Sequence, residues 1–387
     1  MAKTPFRESI FSLILALTLL VLFFSPPPPS APVLPEPVTP ADLQTRYNEK
    51  RLNILIVPGH DNEYHGAEFG VLYEADLTLL AANSLYTFFT ADPHFEVRVA
   101  RDLATGEYTS ELTEYFKTEQ ESIRAFRAAK RNNFVTLVNS GEVANYTGVP
   151  HRFAKDEVAL RLYGINKWAN EHEIDIVIHI HFNDYAGRPL TQVGQYVGLA
   201  IYVPEKELPN ARSSQDVADE IYKELRPFFA TSNSPVEDIG VIEDRELIAI
   251  GADASRDGAS LLIEYGYIYE PQFAYPETRR VVLAEMNWQI YRALKKYFEP
   301  SALMADTLLL PYNFNRELGE GVAGRRDVLA LQRALDEEKV GNCFLNGVFD
   351  GCVKQAVMRF QKKYGLAGAG YVGQATLKKL NSFYFNP

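Results

Sequence analysis

Ile174-Asp175-Ile176-Val177-Ile178-His179-Ile180-His181-Phe182-Asn183 is the stretch on which the architecture turns. From Ile174 to His181 it is β-rich without alternating polar positions, the pattern of a central strand covered on both faces. Working outward, Leu52 to Val57 reads as a second buried strand, ending in Pro58-Gly59-His60. Phe95 to Ala100, Gly198 to Val203 and Ser260 to Glu264 read as further strands. Helical spacing separates them: Glu74 to Phe89 with Leu77, Leu80, Ala81 and Leu85 on one face, then Leu112–Arg131, Asp156–Glu171, Ser213–Phe229 and a closing helix over Pro276–Phe298. Strands alternating with helices predict an α/β domain over residues 51–299, a layered, mostly parallel or mixed sheet with helices on both faces.

The flanks are different. Lys3 and Arg7 precede an apolar run from Ile10 to Phe24, followed by Ser25 and four prolines, which reads as an export signal. Fifteen helical residues span roughly 22 Å, short of the ~30 Å hydrocarbon core, yet no clean Ala-x-Ala site follows. Residues 1–25 therefore read either as a cleaved signal peptide or as an uncleaved membrane anchor. Residues 26–50 are expected to be an extended, proline-rich linker. Residues 300–322 lack periodicity and read as a second linker. Residues 323–384 are expected to form a small, separate all-α domain of three helices, with Val328, Leu331 and Leu335 lining one, Val353, Ala356, Val357 and Phe360 a second, and Thr376, Leu377 and Leu380 a third.

The chain has 387 residues, 47% of them hydrophobic, and a net charge of −11. Its C-terminal part from Ala323 carries ten Lys or Arg against five Asp or Glu, so this +5 leaves −16 on the rest. An acidic body argues against nucleic acid as the partner, while the basic tail suits an anionic polymer or is simply a solvated face. Cys343 and Cys352 are the two cysteines. A disulfide is the economical reading for an exported chain, with two free thiols as the alternative.

Three strand ends carry candidate chemistry. His60 follows a buried strand and Glu74 begins the next helix; a zinc site wants about three imidazole or carboxylate ligands and one open position. His179 and His181 are two apart on one strand, so both imidazoles face the same side of the sheet. Glu264 ends the apolar run Leu261-Leu262-Ile263, where a carboxylate is costly unless it is paired, ligated or catalytic. The blander readings are a hydrogen-bonded histidine pair and a surface carboxylate.

Together these segments resemble the zinc-dependent N-acetylmuramoyl-L-alanine amidases of the amidase-3 type. The likeness runs through Ile54-Leu55-Ile56-Val57-Pro58-Gly59-His60, Gly66-Ala67, Gly70, Glu74-Ala75-Asp76-Leu77, Arg101-Asp102, Ala169-Asn170, Asp175 to Asn183, and Leu262-Ile263-Glu264-Tyr265-Gly266-Tyr267-Ile268. The resemblance implies a Zn2+ ion held by His60, Glu74 and His181, with Glu264 as general base and then acid. The chain departs from the family at His179, where Ser is usual, at Phe182, where Ala is usual, and at Asp61-Asn62, where Gly-Gly is usual. His179 would support a ligand, touch substrate or compete as a ligand; Asn183 would support the site or touch substrate. His65 lies near enough to blur the ligand assignment. About 45 extra residues, 106–150, would form a lid, a regulatory segment or a partner site.

The tail resembles the three-helix peptidoglycan-binding domain through Val328-Leu329-Ala330-Leu331-Gln332-Arg333-Ala334-Leu335, Asn346-Gly347-Val348-Phe349-Asp350-Gly351, Ala356-Val357-Met358-Arg359-Phe360-Gln361 and Gly373-Gln374-Ala375-Thr376-Leu377. The two resemblances imply an exported enzyme of the cell envelope that cuts the amide between N-acetylmuramic acid and L-alanine, with peptidoglycan as partner. The alternatives are a zinc peptidase acting within the stem peptide and a non-catalytic wall-binding scaffold.

Overall fold

The structure, a computed structural model, describes residues 38–144 and 154–385. The apolar run expected to be a signal or anchor lies outside the described residues. Among the described residues no helix is long and apolar enough to cross a membrane.

A six-stranded sheet organises the domain. Its strands are β1 (Leu52–Pro58), β4 (Phe95–Val99), β5 (Ile176–Asn183), β6 (Ala200–Pro204), β7 (Val241–Asp244) and β8 (Ala259–Tyr267), in the order β4-β1-β5-β8-β6-β7. Every pairing is parallel except β6 with β8, so the sheet is mixed, as the pattern predicts. A two-stranded hairpin, β2 (Glu68–Phe69) with β3 (Leu72–Tyr73), stands apart from it.

Alternation along the strands divides the sheet into two apolar faces. Ile54, Ile56, Ile178, Ile180, Leu261 and Ile263 point into the largest core, with residues of α2 (Glu74–Thr90), α6 (Ala211–Leu225) and α8 (Pro276–Phe298). Leu55, Val57 and Val177 point the other way, onto Ile165, Trp168 and Ala169 of α5 (Asp156–Glu171). The layered α/β architecture follows from strands apolar on both sides.

Three expectations change. The N-terminal spacer does not run extended to residue 50: α1 (Pro40–Glu49) is a helix capped by Thr39, and its Leu43 and Tyr47 are buried in the main core. The Leu112–Arg131 helix is two, α3 (Ser110–Thr118) and α4 (Gln120–Ser140), broken at Glu119. The segment 300–322 is irregular but not a free tether. Leu309 sits in the main core and Phe314 and Leu318 in the C-terminal one, while Trp288, Gln289 and Arg292 of α8 hydrogen-bond the backbone carbonyls of Ala305 and Asp306. Strand β7 carries no clear pattern in the sequence, being four residues long with alternating exposure.

The C-terminal unit has its three helices, α9 (Arg326–Glu337), α10 (Gly351–Lys363) and α11 (Gln374–Tyr384), around a core that includes Phe349, Phe360 and Leu380. Cys343 and Cys352 are disulfide-bonded. The unit is also docked. Leu329 and Leu345 join the main core, the Leu345 N–H donates to the Phe228 carbonyl at 2.8 Å, and the Arg333 guanidinium lies 4.8 Å over the Phe228 ring.

Because Leu43 is fully buried, Leu43→Ala should destabilise the full chain by about 3 kcal/mol, within the usual cost of a large-to-small core change. Chemical denaturation followed by circular dichroism checks this. A loss below about 0.5 kcal/mol would mean that α1 is not part of the domain's core.

Candidate metal centre

Strand ends, a loop and a helix start bring the expected residues together. His60 follows β1 with φ of 60°, a left-handed conformation that few non-glycine residues adopt and that often marks a functional site. Glu74 opens α2, and His181 sits near the end of β5. Each offers one ligand atom, and the three atoms lie within 4.8 Å of one another. Among the described residues this is the one such cluster found, and His179 is not part of it. The competing-ligand role for His179 is thereby corrected: it lies two residues deeper in the strand. His65 is likewise turned away, its Nε2 placed 2.9 Å from the Asn62 carbonyl oxygen.

Glu74 is the centre of the cluster. Its Oε1 lies 2.9 Å from His181 Nδ1 and accepts from the Phe182 N–H at 3.0 Å. Its Oε2 lies 3.1 Å from His60 Nε2 and accepts from the Ala67 N–H at 2.8 Å. Burial by itself pushes this carboxyl up, but the two imidazoles outweigh it and hold the group far below the usual carboxylate range. For His60 burial pulls down, but Glu74, with Asp61 and the Tyr64 backbone, pulls up, and the net direction is up. Two imidazoles and a buried carboxylate, all aimed at one point, form a donor set suited to a divalent cation of the zinc type.

The backbone around the cluster leaves no room for larger residues. A Cβ on Gly66, whose φ is 77°, would come 2.3 Å from Glu74 Oε2 and 2.5 Å from His60 Cδ2. A Cβ on Gly59 would meet the His181 ring at 2.4 Å. Supporting bonds come from residues without an obvious local signal. Thr78 Oγ1 donates to the Gly59 carbonyl at 2.9 Å, and Arg101, fully buried, donates to the carbonyls of Gly59, Ala75 and Gly106. The Arg101-Asp102 pair stood out in the sequence only as a motif fragment, not as the buried clamp it is.

Glu264 pairs in register with His181 on the neighbouring strand, so both side chains face the α5 side of the sheet. Its Oε2 is buried without a partner. Burial first, then the charges of Glu74 and Glu237, push this carboxyl well above its ordinary value. Just beyond, the register shifts between His181 and Asn183, and Gly266 has a φ of 150° there. Asn183 does not reach the cluster: its side-chain N–H donates to Glu237 at 2.7 Å. Glu237 also accepts from Tyr202, Ser232 and Tyr267, forming a buried carboxylate network that no sequence pattern signalled.

The family model for N-acetylmuramoyl-L-alanine amidase matches residues 54–296, and that for a peptidoglycan binding domain matches residues 324–380. Among solved structures, an N-acetylmuramoyl-L-alanine amidase from Clostridium difficile 630 is 16% identical with a TM-score of 0.41, over 66% of this chain and all of that one (100%). The amidase AmiC2 of Nostoc punctiforme is 18% identical with a TM-score of 0.38, over 64% of this chain and 97% of that one. These structural likenesses are too distant to bear on the chemistry. No curated protein matches the chain.

Gly66→Ala should drive Glu74 and His60 apart and weaken divalent-cation binding at least tenfold, the scale seen when support around metal ligands is lost. Calorimetric titration of the cation into metal-stripped protein measures this. Unchanged affinity would show that the cluster tolerates the added methyl and is not built as tightly as its glycines imply.

Proposed function

The chain belongs to the N-acetylmuramoyl-L-alanine amidase family, and from that premise we propose that it is a zinc-dependent amidase in which His60, Glu74 and His181 hold the metal and Glu264 handles the proton. The family match covers most of the catalytic domain, so the chain is an enzyme acting on an amide bond of peptidoglycan, and its second match makes it a peptidoglycan-binding protein too. Both activities belong outside the cytoplasm. Export through the apolar N-terminal run is part of the proposal, as is the division into a catalytic domain over 51–299, extended by α1, and a wall-binding domain over 323–384.

The observation that carries the reading is the convergence of three ligand atoms within 4.8 Å, with Glu264 beside His181 on the next strand. Zinc held by His60, Glu74 and His181 would polarise the scissile carbonyl and acidify a water molecule. Glu264 would take one proton from the attacking water as it adds to the carbonyl carbon, and would return the proton to the nitrogen of L-alanine as the C–N bond breaks. The Phe182 and Ala67 backbone N–H groups keep Glu74 oriented, so that it stays a ligand and does not compete as base.

Digestion of purified peptidoglycan by the zinc-loaded full chain, read by mass spectrometry, tests the reaction. Intact glycan strands with released peptides beginning at L-alanine are expected. Cuts within the peptide would make it a peptidase, and binding without release would make it a scaffold. Glu264→Gln should retain zinc and lose at least about 100-fold in turnover, the usual contribution of a general base. Normal cleavage by that variant would overturn the proton role. His181→Ala should no longer hold zinc tightly; retention of stoichiometric metal would overturn its assignment as a ligand.

A further inference from the structure

The strands that carry His181 and Glu264 lose their regular ladder beside those two residues. β5 and β8 pair residue for residue up to His181 and Glu264; the register then shifts, and pairing resumes at Asn183 with Tyr267. A bulge of this kind re-aims side chains and interrupts the backbone bonds that would hold them. Glu264 depends on that hold. Its Oε2 has no partner, and its neighbour on β6 is Ala200, which has no polar side chain to offer. The metal ligands are secured separately. Glu74 accepts from the Phe182 and Ala67 N–H groups, and His181 packs on Gly59 and lies against Glu74.

Glu237 is placed to supply the missing hold. It is 5% exposed, in the loop before β7. Its Oε1 accepts from Asn183 Nδ2 at 2.7 Å and from the Tyr202 hydroxyl at 2.8 Å. Its Oε2 accepts from the Ser232 hydroxyl at 2.6 Å and from the Tyr267 hydroxyl at 3.0 Å. One carboxylate thus ties β5, β6 and β8 together just beyond the break, and Asn183 and Tyr267 are the pair at which the ladder resumes. Tyr202 stands opposite Leu262, two residues before Glu264. Four donors fill the lone-pair sites of an ionised carboxylate, and all four are neutral side chains. A buried charge is costly even when it is fully bonded, and apolar side chains would close this layer at lower cost. Directed bonds give what apolar contacts do not, a single fixed position for the groups that make them.

We propose that Glu237 is a positioning residue for the hydrolysis: by clamping Asn183 and Tyr267 it sets where the Glu264 carboxyl stands relative to the metal ligands. The inference rests on the amidase reading for its kinetic consequence. Without the clamp the ends of β5 and β8 shift while Glu74 keeps its own bonds, so turnover falls and the cation stays bound. A misplacement of about 1 Å costs on the order of 100-fold in rate.

Glu237→Ala removes the clamp; Tyr267→Phe cuts only the bond to β8 and decides the matter if the first variant does not fold. Each zinc-loaded full-length variant is assayed on a soluble muropeptide. In both, kcat should fall at least about tenfold, with KM and zinc affinity within about twofold of wild type. The same change made in Glu264→Gln should cost less than about twofold further, because a residue that acts through Glu264 then has nothing left to position. An undiminished loss in that background, loss of zinc, or turnover within about twofold of wild type overturns the assignment. Crystal structures of the zinc-loaded wild type and Tyr267→Phe give a readout free of turnover: the Glu264 carboxyl should move by about 0.5 Å or more relative to His181, and an unmoved carboxyl overturns the clamp. A wild type that cleaves no peptidoglycan would overturn the amidase reading, and the displacement of Glu264 would still decide whether Glu237 positions it.

Discussion

A buried carboxylate caught between two imidazoles is the constraint on which the functional half of this molecule depends. Glu74 accepts from two backbone N–H groups and faces His60 and His181 with separate oxygens. An ionised carboxylate out of water survives only when its lone pairs are used. Satisfying them requires the β1 loop, the start of α2 and the end of β5 to be held at once. The left-handed His60, the close-packed glycines and the Arg101 clamp all serve that requirement.

The sheet separates structural from chemical duties by its two-residue period. One set of alternate positions, Ile178 and Ile180 among them, fills the large core under α2, α6 and α8. The opposite set carries His179 and His181 on β5, and Leu262 and Glu264 on β8. Because adjacent residues on paired parallel strands project the same way, His181 and Glu264 become neighbours simply by sharing a register. A slip of one residue in β8 would put Glu264 into the core, and one in β5 would do the same to His181, so either would abolish the arrangement.

The C-terminal module is attached differently from a bead on a string. Leu329 and Leu345 enter the catalytic domain's core, Arg333 stacks on Phe228, and the intervening segment is bonded along α8. A wall-binding surface carried in this way has a set orientation to the cutting site, whereas a flexible linker would only raise local concentration. The disulfide joins Cys343, in the loop after α9, to Cys352, in the first turn of α10, and closes the loop that carries Leu345.

Much was legible in the chain itself. Apolar runs with period two or 3.6 placed the strands and most helices, because burial on one or both faces imposes those periods directly. The ends of the runs exposed His60, Glu74, His181 and Glu264, because a polar group closing an apolar strand is rarely neutral in cost. Other features carry no local signature. Thr39 capping α1 is a single residue among prolines, β7 is four residues long, and Glu237 looks like any loop carboxylate until Asn183, Tyr202, Ser232 and Tyr267 converge on it. The sequence by itself determined the kind of fold and the inventory of candidate groups, since both are written in residue type and spacing. Only the tertiary structure decided which histidine joins Glu74, that Asn183 serves Glu237, and that His179 faces a cavity, since these depend on distances between segments far apart in the chain.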